Sequence, residues 1–167
     1  MLIPAITRKT EIEENFKRLF YSDDMFYEAG GMFNHVPNIQ NEPDSGCFQY
    51  AVVDSTQTLI GYFAYTVDWY SSCAYNFGLI SFVKGTSIIG KDVYAELRRL
   101  IDIYHLHRIE WRMVGGNPVE RHYDKFCRRF GGMKHVLRDV FKDRLGNYRN
   151  LLIYEILLSS NQTSDAV

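Results

Sequence analysis

Two short stretches hold residues whose types and spacing could do chemistry. The first is "WRMVGGNPVERHYDKFCRRFGG", Trp111 to Gly132, where a strand-like run stops at Gly115-Gly116-Asn117 and helical spacing resumes at Pro118. Asn117 suits the cap of that helix, Pro118 its first position, and Gly131-Gly132 its end. Val119, Tyr123, Phe126, Cys127 and Phe130 fall on its inward stripe. Glycines that end a strand leave peptide groups bare, and bare peptide groups pair with an extended, amide-bearing ligand as another strand would. The second stretch is "VKGTSIIGKD", Val83 to Asp92. Gly85 and Gly90 let backbone amides approach a ligand, Thr86 and Ser87 offer hydroxyls or a cap, and Lys84 and Lys91 add charge. A strand that opens directly into a helix is an anion-binding arrangement, because free N–H groups and the positive helix end point outward. The spacing GxxxxGK is present from Gly85 to Lys91, but Asp92 stands where a magnesium-ligating hydroxyl would be, so this is no Walker loop.

The elements that must position these stretches follow from hydrophobic period. "TEIEENFKRLF" places Ile12, Phe16, Leu19 and Phe20 on one helical face with Thr10 as cap, and "SDDMFYEAGG" reads as a short helix capped by Ser22 and ended by Gly30-Gly31. Residues 34–47 are loop. "CFQYAVVD" and "LIGYFAYTVDW" form a hairpin, and "AYNFGLISFV" is a third strand. Helical spacing returns with Ile89, Val93, Leu97, Leu100, Ile101 and Tyr104. "RIEWRMV" alternates, with Ile109, Trp111 and Met113 on one face and Arg108, Glu110 and Arg112 on the other. After the helix of the first stretch, "KHVLRDVF" and "NLLIYEILL" make a second hairpin. The order ααβββαβαββ predicts one α/β (α+β) domain over residues 1–158, with a central mixed sheet of six or seven strands and flanking helices. The polar tail, 159–167, is expected to fray. The third strand, about 75–83, and the strand at 108–114 should be parallel neighbours joined by a right-handed helical crossover.

At 167 residues, with 46% hydrophobic and 23% charged content, the chain reads as one soluble globular domain. Three cysteines, without CxxC spacing, argue against a disulfide framework and a zinc site and for a reducing, cytoplasmic setting. The five histidines show no metal-ligand spacing, so no metal is expected. No apolar run reaches membrane-spanning length. Net charge is −1, yet residues 1–83 carry 4 Lys/Arg against 10 Asp/Glu, while residues 84–149 carry 15 against 8. A locally basic region in a neutral protein suits an anionic ligand.

The order and motifs over about residues 48–158 resemble the GNAT superfamily of acetyl-CoA-dependent N-acyltransferases. The resemblance lies in the hairpin, the strand, the glycine-bearing loop "KGTSIIG" opening a helix, the strand, the Asn117-initiated helix with Tyr123, and the closing hairpin. On the family's Q/R-x-x-G-x-G/A loop pattern, Gly90 takes the last position, and Gly85 and Ile88 take the earlier key ones. The resemblance implies acetyl-CoA as cofactor, in a cleft where two parallel strands splay. Its pyrophosphate would lie on Lys84, Gly85, Thr86, Ser87, Ile88, Ile89, Gly90 and Lys91, and its pantetheine arm along Ile80, Phe82 and Val83, with Asn117 and Tyr123 opposite. It also implies that a residue of the Asn117 helix protonates the leaving thiolate. Tyr123 or Cys127 stands at that position, and Tyr123 is preferred because a phenol is the family's usual donor.

Acyl transfer to an amine further needs a backbone N–H for the developing oxyanion, here from Leu79 to Val83, and a base for the ammonium proton. No acid occurs between Cys73 and Val83. Asp68 and Glu110 are the nearest candidates, with a strand-end role and an ion pair between Arg108 and Arg112 as their plainer alternatives. Asp23, Asp24 and Glu28 among Phe20, Tyr21, Phe26, Tyr27 and Phe33 suggest an acidic, aromatic wall for a cationic acceptor, a small amine or a peptide N-terminus. The competing reading is a catalytically silent or toxin-like relative that binds RNA or a protein partner through the basic region. A sequence pI near 6.5 and the lack of nucleic-acid-binding motifs count against it. A membrane partner is not expected, and a homodimer is left open.

Overall fold

The computed structural model describes residues 1–20, 25–28, 35–41, 46–83 and 88–158. Seven strands form one sheet: β1 (Leu2–Pro4), β2 (Cys47–Val53), β3 (Leu59–Asp68), β4 (Cys73–Ser81), β5 (Arg108–Val114), β6 (Met133–Lys142) and β7 (Tyr148–Leu157). Their order is β1-β2-β3-β4-β5-β7-β6. The helices are α1 (Lys9–Phe20), the short α2 (Met25–Glu28), α3 (Ile88–Asp102) and α4 (Glu120–Arg129). The mixed α+β sheet with seven strands agrees with the sequence reading, and β4 and β5 are parallel neighbours as expected.

β3, "LIGYFAYTVD", is apolar at nearly every position because both of its faces are covered. On one side, α1 buries Ile12 and Phe16 against Tyr62, Ala64 and Ile80. On the other, Val93, Leu100 and Ile101 of α3 and Phe126 of α4 pack with Phe63, Tyr65, Trp111, Leu152 and Tyr154. A buried carboxylate, Glu96, ties α3 to the sheet. Its Oε1 accepts hydrogen bonds from Tyr65 Oη at 2.5 Å, Tyr50 Oη at 3.1 Å and Arg99 at 3.0 Å. Such a group is tolerated inside only because it is paired and hydrogen-bonded on several sides.

Three local expectations are corrected. β1 lies where no strand is predicted: its three residues carry no readable period and depend on pairing with Tyr50 to Val52. Thr10 is inside α1 rather than its cap, because a 3-10 turn, Ala5–Arg8, leads into the helix at Lys9. α4 begins at Glu120 and not Pro118. Ser22, Gly30, Gly31 and the tail 159–167 lie outside the described residues.

β4 and β5 pair at only two positions, Cys73↔Arg108 and Ala74↔Ile109. The cause is on the other edge of β4. Between Thr66↔Tyr75 and Ala64↔Gly78, two residues of β4, Asn76 and Phe77, oppose the single Tyr65 of β3. Asn76 takes the left-handed conformation, φ 55°. A bulge of this kind bends its strand and strengthens its twist, and here it does so just where the ladder to β5 ends. The left-handed region costs an ordinary L-residue roughly 1–2 kcal/mol, while Asn and Gly enter it readily. Asn76 is exposed, so its side chain is replaceable. Asn76→Val should therefore lose about 1–2 kcal/mol in denaturant unfolding, and Asn76→Gly should stay within about 0.5 kcal/mol of wild type; equal stability of all three chains would refute a bulge set by backbone conformation.

α4 is clasped to β6 by Lys134, whose Nζ donates to Glu120 Oε1 at 2.7 Å and Asp124 Oδ1 at 2.9 Å. The hydrogen bond from Lys134 is the main reason that both carboxyls are held below their ordinary pKa. A depressed carboxyl pKa stabilises the fold above the ordinary carboxylate range, and that contribution is lost as pH falls through the depressed value. The stability deficit of Lys134→Met should accordingly be present at pH 7 and shrink as the pH is lowered to about 3. A deficit independent of pH in thermal unfolding would contradict the clasp.

Candidate functional site

Beyond Ala74 and Ile109 the facing edges of β4 and β5 diverge, and the gap is a cleft of about 780 Å³. That volume is ordinary for a small-molecule site. Its walls are Phe77, Leu79 and Ser81 of β4, Trp111 and Met113 of β5, and the facing sides of α3 and α4, with Tyr27 of α2 at one end. The bulge decides which β4 residues face it. Ala74 packs in the core beneath α3 and α4, and without an extra residue the even positions would continue on that side. The bulge reverses the alternation, so Phe77 and Leu79 pack there instead, while Ile80 is buried on the α1 side.

The predicted cofactor-binding residues separate into four groups. Ile89, Gly90 and Lys91 at the start of α3, and Asn117 and Tyr123 across from them, all line the cleft. A Cβ added to Gly90 would meet nothing within 4 Å. Ile80 and Phe82 direct their side chains into the α1 cluster, and the Phe82 N–H is taken by the Ile60 carbonyl at 2.9 Å. Val83 is exposed beyond the strand end. Lys84, Gly85, Thr86 and Ser87 lie outside the described residues, as do the side chain of Ile88 and, on the predicted acceptor wall, Tyr21, Asp23, Asp24, Phe33 and the side chain of Glu28.

The Gly-Gly-Asn stop has a structural reason different from bare backbone. Gly115 N–H continues the β5–β7 edge by donating to the Asn150 carbonyl at 2.8 Å, and Gly116 N–H donates to Glu120 Oε2 at 2.9 Å. Gly116 sits at φ 84°, a conformation that requires glycine in practice. Asn117 Oδ1 accepts from Val119 N–H at 3.1 Å, capping the turn that leads into α4 rather than the helix itself. Among the described residues, unpaired strand edge is instead supplied by the splayed halves of β4 and β5.

Tyr123 and Cys127 are set apart by one helical turn. Tyr123 faces the cleft with its ring edge-on to Trp111 and Tyr154, at centroid distances of 5.9 Å and 6.1 Å. Cys127 is buried beneath α4, its Sγ directed at the carbonyls of Met133 and Glu155, and burial pushes its thiol pKa up. Asp68 is on the β3–β4 hairpin, beyond the paired end of β4 and β5 and away from the opening. It is held by Ser71 Oγ at 2.6 Å and Tyr70 N–H at 2.9 Å, and these bonds lower its pKa. Glu110 is the first β5 residue after the last pair with β4, on the sheet face opposite Trp111. It bridges Arg108 at 2.6 Å and Arg112 at 3.0 Å, so the predicted ion pair is present.

Among the described residues the cleft wall carries four cations, Lys91, Arg112, Lys125 and Arg129, and no carboxylate. The indole N–H of Trp111 is buried in that wall without a hydrogen-bond partner. Neither Lys125 nor Arg129 stood out in the sequence, where only the excess of positive charge over residues 84–149 pointed toward them. No group of three His, Cys, Asp or Glu able to hold a metal occurs among the described residues. None of the described helices is long and apolar enough to cross a membrane.

No protein-family model matches the sequence, and no curated protein is detectably similar to it. Solved structures do match. The spermidine/spermine N-acetyltransferase SpeG from Vibrio cholerae, in complex with manganese ions, aligns with a TM-score of 0.53 at 20% identity, covering 68% of this chain and 66% of its own. The dodecameric spermidine N-acetyltransferase from Vibrio cholerae, in an intermediate state, gives a TM-score of 0.57 at 21% identity, covering 74% and 71%. The chain thus spans about two thirds of these neighbours' length. Sequence identity this low carries architecture alone, and the architecture is plain: a single mixed sheet whose parallel β4 and β5 part to form a cleft, the fold of the GNAT acetyltransferases.

Proposed function

We propose that the protein is an N-acetyltransferase that moves an acetyl group from acetyl-CoA to a primary amine. The observation that carries this reading is the β4–β5 splay, which among the described residues leaves two strand edges without partners along a cleft whose wall holds cations and no carboxylate. A polyanion tethered to an extended arm with two amides fits such a cleft. The arm pairs with the free edges as an added strand would, and the phosphates meet Lys91 and the start of α3. The unpartnered Trp111 indole N–H is a donor that a carbonyl of the ligand would satisfy. Neighbours of the same fold are named as acetylating spermidine, itself an amine, which agrees with the acceptor class proposed for this chain.

Bound acetyl-CoA supplies a thioester; the neutral amine attacks its carbonyl carbon, and the C–N bond forms as the C–S bond breaks. A β4 amide in the splayed half steadies the charge that develops on the carbonyl oxygen. Tyr123, on the cleft wall, gives its proton to the departing sulfur. Glu110 takes the ammonium proton through water, because it stands where the two strands part and on the face opposite the α3–α4 wall. Asp68 has no part in this reading, since the hairpin holds it beyond the closed end.

General acid or base assistance contributes roughly 10²–10⁴-fold in rate. Tyr123→Phe, which keeps the ring contacts with Trp111 and Tyr154, should lower turnover by a factor in that range. Its affinity for acetyl-CoA by titration calorimetry should stay unchanged. Glu110→Gln should lower turnover with a primary amine by a factor in the same range, with its affinity for acetyl-CoA unchanged. Full turnover by Tyr123→Phe under chemically limited conditions would reduce the tyrosine to a packing residue.

A further inference from the structure

α4 sorts its charges by face. Glu120 and Asp124, one turn apart, both reach Lys134 of β6. Lys125 and Arg129 turn toward the main cleft and, among the described residues, line an open recess together with Arg128, which lies one turn on from Asp124 and helps to lower that carboxyl's pKa. None of these three cations ion-pairs with a carboxylate among the described residues. Arg129 is steadied without being neutralised, its guanidinium 5.9 Å from the centroid of the Tyr94 ring. Tyr94 is itself a cleft residue of α3, so this contact fixes the cation at the seam between the two helices. Lys125 and Arg129 stand at i and i+4, where like charges repel and destabilise a helix. The negative end of the α4 dipole offsets part of that cost, but it does not require a concave cationic surface opening into a ligand cleft.

We propose that Lys125 and Arg129, flanked by Arg128, form the seat of a phosphomonoester, the 3′-phosphate on the coenzyme's ribose, and that this seat makes the protein select CoA over 3′-dephospho-CoA. The inference rests on the acetyl-CoA reading above and adds to it a specificity determinant on α4. A phosphomonoester carries about −1.5 to −2 charge at neutral pH and offers three acceptor oxygens, so it calls for two or more cations with several donors. A lysine point charge beside an arginine fork meets that need. The pyrophosphate is placed at the other helix, near Lys91 and the start of α3, so the two phosphate sites face each other across one cleft.

The test is titration calorimetry of the full chain with CoA and with 3′-dephospho-CoA, for wild type and for the double variant Lys125→Ala/Arg129→Ala, at one fixed ionic strength. Wild type should bind CoA about tenfold or more tightly than the dephospho form, the gain expected of a charge-assisted contact. In the double variant the ratio should fall to within about twofold. Retained binding of 3′-dephospho-CoA by that variant also reports that it is folded. Wild type that binds both ligands equally, or a double variant that keeps the full preference, overturns the seat and leaves the coenzyme reading standing. The same overturning result is expected if the cations instead hold an RNA backbone, since coenzyme discrimination would then be untouched. Failure of wild type to bind either ligand overturns both readings.

Discussion

The extra residue that β4 inserts at Asn76 and Phe77 governs the site. Without it, the ladder begun at Cys73↔Arg108 and Ala74↔Ile109 would have no reason to stop, and parallel strands with both faces covered would close into ordinary sheet. With it, the strand bends away from β5, its side-chain alternation reverses, and Phe77, Leu79 and Ser81 come to face the gap. One left-handed residue therefore sets both the opening and the lining of the cleft.

A parted sheet would collapse unless its walls were fixed independently of each other. α3 is fixed by apolar packing and by the buried Glu96, which engages Tyr50 on β2 and Tyr65 on β3. α4 is fixed by Phe126 and Cys127 beneath it and by Lys134 from β6. β5 keeps its full pairing with β7, through Val114↔Leu151, so losing β4 along one edge costs it little order. Among the described residues the inner edges are left unpaired in a frame that is otherwise well held, as a strand-like ligand requires. The same division of labour places Tyr123 on the cleft and Cys127 in the core although both lie on the inward stripe of α4.

Much of this was legible in the residues because hydrophobic period changes cleanly at the element boundaries. The switch from alternation to helical spacing and back across β4, α3 and β5 gives the parallel neighbours, and the family resemblance puts Lys91, Asn117 and Tyr123 at the cleft that they line. The parity of β4 could not be read this way. A bulge adds one residue to the count without changing composition, so the side that Ile80 and Phe82 take is decided by pairing with β3. The three residues of β1 are strand only through their neighbours. Gly115-Gly116-Asn117 is legible as a stop, but its reason, the carboxylate of Glu120 four residues beyond Gly116 that captures the Gly116 N–H, is a contact and not a pattern. Lys125 and Arg129 were hidden likewise, since only the structure shows that Lys134 draws the α4 acids to the opposite face.

The central claim is that the unpaired edges of β4 and β5 are the seat of the coenzyme. Backbone hydrogen exchange followed by mass spectrometry, with and without saturating acetyl-CoA, tests it at the atoms concerned, because amides on those edges exchange with solvent until a ligand pairs with them. Exchange should slow in peptides covering Phe77–Ser81 and Trp111–Val114, with little change where Cys73 and Ala74 already pair with β5. Exchange unchanged in both splayed segments, or protection confined to β6 and β7, would contradict it.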